Sequence, residues 1–120
     1  MLDLDGLQVA YLGVALAHYL DLETGDIIDQ PLDDPPPGEE SRFLRVPART
    51  EETEAEDRRL FLPLVKIHAV REQLAAAVDD PHTFRQILHE DRLVERSFFN
   101  FKNDRATKAI EEWLEAEGLS

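Results

Sequence analysis

No cysteine occurs among the 120 residues, which removes thiol catalysis, zinc knuckles and a disulfide framework together. Basic residues are scarce: 13 Lys and Arg stand against 26 Asp and Glu, a net charge of -13. Phosphate contacts need clustered bases, so this balance disfavours a generic DNA or RNA binder and docking on an anionic membrane surface. The five glycines are scattered, and neither GxxxxGK[ST] nor GxGxxG occurs, so no phosphate-cradling loop is encoded. Ser41, Ser97 and Ser120 lack a GxSxG setting, and no HExxH, HxH or HD pair supplies a local metal nucleus. No calcium-loop pattern occurs either. No cofactor is expected.

The chain does hold enough apolar material for a core, at 42% hydrophobic with 32% charged residues to keep it dissolved. Its length suits one domain over 1–120. The apolar stretch 7–20 resembles the middle of a signal peptide. The acidic start Met1-Leu2-Asp3-Leu4-Asp5 is the wrong lead-in, and the stretch is too short to span a bilayer. A cytoplasmic protein is expected. Ten Arg against three Lys, with so many carboxylates, also suits a salt-rich host, where screening weakens carboxylate repulsion.

Asp3 or Asp5 caps a first helix predicted at about 4–14. His18-Tyr19-Leu20-Asp21-Leu22 alternates, Glu23-Thr24-Gly25 turns, and Asp26-Ile27-Ile28 leaves again, which predicts a β-hairpin with Gly25 at positive φ. The proline- and acid-rich segment 30–41 reads as a mobile, extended loop within the domain. Arg42-Phe43-Leu44-Arg45-Val46-Pro47 reads as a third strand that Pro47 stops.

Thr50 opens a helix whose first turn is acidic, and Pro63 ends or kinks it near Leu62. Further helices are predicted at about 64–78, at 81–90 behind the Asp80-Pro81 start signal, after Asp91, and at about 104–117 up to Gly118. The layout is α+β: an N-terminal helix, a small three-stranded antiparallel sheet, then a C-terminal helical bundle packed on the sheet.

Several of these segments resemble a bacterial group, the uncharacterised protein family 0158. The hairpin from Tyr19 to Ile28 is similar to that family's hairpin, and Arg42 to Pro47 to its third strand. Thr83-Phe84-Arg85 stands where the family carries an Ala-Phe-Arg-Arg-Phe-Lys-Asp run. Phe98-Phe99-Asn100-Phe101-Lys102-Asn103-Asp104, Glu112-Trp113-Leu114 and Gly118-Leu119 resemble its closing helix. The likeness covers nearly everything from about residue 16. Ile87-Leu88-His89 replaces the second Phe, Lys and Asp of the middle motif, and Asp80-Pro81 stands where glycines usually precede it. The resemblance implies this fold and a bacterial cytosolic origin, and it carries no reaction.

Histidines are the natural candidates for acid–base or metal chemistry. His68 and Glu72 share a helix face, His82 and His89 are seven apart, and His18 stands near Asp21 and Glu23. A hydrolytic site needs three or four such ligands converging from different elements, so a small metal-dependent hydrolase is a remote alternative. Adjacent carboxylates such as Glu111-Glu112 point apart on a helix and form no catalytic dyad. No catalytic residue is assigned.

Between Arg85 and Lys108 bases outnumber acids, and phenylalanines are interleaved. Open rings beside Arg would suit stacking on single-stranded RNA, which is the second alternative. Spacings of two and three fit core positions better, so Phe and Trp are expected as interior packing against the strands. Residues 21–60 hold 13 acids and 5 bases, a net of -8, which could dock a basic protein or a basic patch of a second copy. The expectation is therefore a non-catalytic, acidic interaction or regulatory module. Its partners would be proteins or its own copies, with nucleic acid unlikely and no membrane. Its candidate binding residues are Asp21, Glu23 and Asp26 at the hairpin tip and Arg85, Phe99 and Lys102 on the helical side.

Overall fold

The computed structural model describes residues 2–119. In chain order the elements are α1 (Leu4–Leu12), β1 (Ala17–Asp21), β2 (Ile27–Gln30), β3 (Phe43–Arg45), α2 (Glu51–Phe61), a 3-10 turn (Leu62–Leu64), α3 (His68–Ala76), α4 (Pro81–Glu90) and α5 (Arg92–Ala116). This is the α+β class expected, with an N-terminal helix, a three-stranded antiparallel sheet and a helical C-terminal region. No helix among the described residues is long and apolar enough to cross a membrane.

The chain folds as two compact units, one containing the described residues up to Arg49 and from Arg105 onward, the other Thr50–Asp104. In the first unit the strand order is β2-β1-β3. The β1–β2 hairpin pairs Leu20 with Ile27 and Tyr19 with Ile28, and its turn puts Gly25 at φ 82, as the sequence predicts. Strand β3 pairs Leu44 with Leu20. Asp3 caps α1 by accepting from the Gly6 amide, and the helix ends at Leu12 because Gly13 is extended. The core joins Leu7 and Ala10 of α1, Leu20, Val46, and Ile110 and Leu114 of α5, with Trp113 half-buried against it. Only the last turns of α5 thus reach this sheet-bearing core.

The second unit is helical and has its own core of Phe61, Val65, Leu74, Ala77, Phe84, Leu88, Val94 and Phe98. Thr50 caps α2 by accepting from the Thr53 amide at 3.1 Å, and Asp80 caps α4 by accepting from the Thr83 amide at 3.2 Å. The Thr83 hydroxyl, donating at 2.7 Å, together with that amide holds the Asp80 carboxyl below its ordinary range. Two expected boundaries move. The helix predicted at about 64–78 starts only at His68, because the chain leaves the 3-10 turn at Val65 in an extended conformation. The break expected at Asp104 is absent: Arg92–Ala116 contains neither Gly nor Pro, and Asn103 and Asp104 do not interrupt a helix that packs at both ends.

Phe98 and Phe101 also differ from expectation in what they pack against. Both meet Phe61 of α2, with ring centroids 5.0 and 5.7 Å apart, and no strand residue belongs to this cluster. The stripe of α5 that carries them faces helices.

Candidate binding cavity on the helical unit

The second unit folds around a cavity of about 260 Å³. Helix α2 contributes Glu54, Asp57 and Arg58, α4 contributes Phe84, Arg85 and Leu88, and α5 contributes Glu95, Phe98, Phe99 and Lys102. Its position follows from one residue. Asp91 alone separates α4 from α5, is extended at φ -130 and ψ 99, and caps the second helix by accepting from the Val94 amide at 3.2 Å. The chain therefore turns sharply between two helices, and the buried stripe of α4 meets that of α5. Phe84 and Phe98 touch at 5.4 Å between centroids and, with Leu88, make an apolar floor.

The three helical candidates from the sequence all line this cavity. Arg85 is exposed on α4. Phe99 leaves 48% of its surface open, whereas its neighbour Phe98 is buried and Phe101 half-buried. The Lys102 ammonium stands 5.6 Å from the Phe98 centroid and 5.8 Å from that of Phe99, a cation–π placement that holds its charge beside both rings. Charges in the lining balance, three acidic against three basic, in a chain whose net charge is -13.

The α2 contribution escaped the sequence reading. Asp57 is 1% exposed and Arg58 is buried, and the Arg58 Nε donates to the Val78 carbonyl at 2.6 Å, just past the end of α3. Their signal was available: positions 57 and 58 lie four and three residues before Phe61, on the same helix face as that core ring.

The hairpin trio is corrected at Asp21, which belongs to the first unit. It is 4% exposed and cannot serve as an open binding residue. Arg42 donates to both its oxygens, through Nε at 3.0 Å and a terminal nitrogen at 2.9 Å, and the Glu23 amide donates at 2.9 Å. The Arg42 hydrogen bonds hold the carboxyl well below the usual carboxylate range, against the opposing effect of burial, and raise the guanidinium in turn. Glu23 is exposed and also reaches Arg42, at 3.3 Å. Asp26 is exposed and lines an open acidic hollow with Asp3, Asp5, Asp29 and His18.

The histidines take local partners. His18 lies 2.7 Å from Asp29 and 2.9 Å from the Gly13 carbonyl, His68 lies 3.5 Å from Glu72, and His89 lies 3.3 Å from Glu95. Among the described residues no three His, Asp or Glu side chains converge closely enough to hold a metal ion. The chain matches no family model, no curated protein and no solved structure.

Proposed function

We propose that the protein is a non-catalytic interaction module that receives an apolar side chain of a partner polypeptide in the cavity rimmed by Arg85, Phe99 and Lys102. The observation that carries this reading is Phe99: a half-open ring beside an apolar floor, with the Lys102 ammonium 5.8 Å from its centroid and Arg85 in the same lining. An anchor side chain in a small apolar pocket surrounded by charge is how compact interfaces concentrate their affinity. A cavity of about 260 Å³ accepts one large side chain and is smaller than a drug-sized ligand site. Stacking along single-stranded RNA calls for successive open rings. Here Phe99 is open, Phe98 is buried and Phe101 is half-buried, so the RNA-associated reading has less support.

The same proposal includes a bacterial cytosolic setting and membership of the uncharacterised family 0158. It draws on the likeness of residues 19–28, 42–47 and 98–119 to that family's segments.

The test places a photocrosslinking amino acid at position 99, and at exposed Leu64 as control, in cells of the native host at their own salt concentration. A discrete protein adduct specific to position 99, lost when Arg85 and Lys102 are both changed to Glu, supports the module. Identical adducts at both positions, or an adduct with RNA, overturn it.

A further inference from the structure

We propose that the cavity's occupant is a second copy of this chain, which inserts Leu32 from its acidic loop between β2 and β3. This rests on the reading of the cavity as a side-chain receptor and names what it receives. Pro31, Leu32, Asp33 and Asp34 form a tight turn closed by the Asp34 amide donating to the Pro31 carbonyl at 3.0 Å, and Leu32 is 54% exposed at its tip. Pro31 opens that turn and Pro35 follows it. Downstream, Gly38 lies so close to the Phe43 ring that a Cβ there would stand 2.5 Å from it, which pins the loop's far end. The Leu32 turn is closed by its own hydrogen bond, and the fixed φ of proline limits the backbone freedom lost on docking.

Charge and chemistry match the receptor. The loop from Pro31 to Ser41 carries Asp33, Asp34, Glu39 and Glu40 and no base. The cavity mouth presents Arg85 and Lys102, and Arg92 and Arg96 line a second hollow that shares Phe99 with the first. A leucine against Phe84, Leu88 and Phe98 with two aspartates beside Arg85 and Lys102 matches both the apolar floor and the basic side chains of the lining. Glu54, Asp57 and Glu95 in the lining oppose the aspartates, but Asp57 is 1% exposed and Glu95 is engaged by His89 at 3.3 Å.

Two molecules of net charge -13 repel over long distances. Salt screens that repulsion, while contacts inside a partly enclosed cavity are screened less. Self-association therefore strengthens as salt rises from low to moderate concentration, opposite to a bare surface ion pair.

Sedimentation equilibrium of the full-length protein over a wide concentration range tests this, with wild type, Leu32→Ala, Lys102→Glu and the paired reversal Asp33→Lys/Lys102→Glu. Wild type should associate, Leu32→Ala should weaken association roughly tenfold or more, and the paired reversal should recover part of what Lys102→Glu loses. Leu32 and Asp33 are exposed, so substitutions there leave the fold intact, and circular dichroism will verify the fold of the variants at half-buried Lys102. A monomer at every concentration and salt, or association indifferent to Leu32→Ala, overturns the self-docking proposal. If position 99 then still crosslinks to a different protein in cells, the receptor reading stands and only its occupant was misidentified. If it crosslinks to nothing specific, both fall.

Discussion

Arg42 grips Asp21 with two hydrogen bonds, 3.0 and 2.9 Å long, across the β1–β3 edge of the sheet. Two residues that look like scattered surface charges in the sequence thus form a pair that ties the start of the third strand to the end of the first. Because Arg42 depresses the folded-state pKa of Asp21, the pair's stabilisation is fully present above the unfolded value of about 3.9 and is lost only as pH falls through the lower folded value. Acid titration followed by circular dichroism should show wild-type stability declining well into the acid range. Asp21→Asn should be less stable at neutral pH and should lose part of that acid slope. An unchanged slope would remove the pair from the account of acid stability.

Two phenylalanines on the helical unit should respond in opposite ways. Phe84 is 2% exposed in the core, so Phe84→Ala should cost about 3–5 kcal/mol in urea unfolding. Phe99→Ala should change stability by no more than about 0.5 kcal/mol, because much of its ring already faces solvent. A large loss at Phe99 would make it a core residue and weaken its assignment to the cavity mouth.

Helix α5 gives a test of continuity. In a helix beginning at Asp104, position 105 would lie in the first turn, where proline is well tolerated. In the continuous Arg92–Ala116 helix the same change removes a backbone hydrogen bond and clashes with the preceding turn. Arg105→Pro should therefore cost about 3 kcal/mol more than Arg105→Ala in chemical denaturation. Equal stabilities would restore the break.

At the hairpin, Gly25 adopts φ 82 and its amide donates to the Asp21 carbonyl at 2.7 Å. Gly25→Ala should cost about 1 kcal/mol through the Cβ clash in that conformation, and Gly25→Asn less, since asparagine tolerates it better. Thermal melts of the two variants should rank in that order.

The local elements were legible because their causes lie within a few residues. Thr50 and Asp80 bond amides three positions ahead, Gly25 supplies a single backbone conformation, and Asp80-Pro81 starts a helix without outside help. Arg85, Phe99 and Lys102 could be singled out as a cluster of bases and rings by composition alone. Their convergence could not, because it depends on the one-residue corner at Asp91 and on α2 completing the walls with side chains some thirty residues earlier in the chain.

Short-range chemistry in the sequence thus determined where α1, α2, α4 and α5 begin, where the hairpin turns, and that acid outnumbers base two to one. Tertiary structure alone decided which phenylalanine stays open, that Phe98 and Phe101 pack on helices, and that Asp21 is buried under Arg42. Burial is a property of neighbours distant along the chain, and a periodic pattern identifies the inward face of an element without naming what it will face.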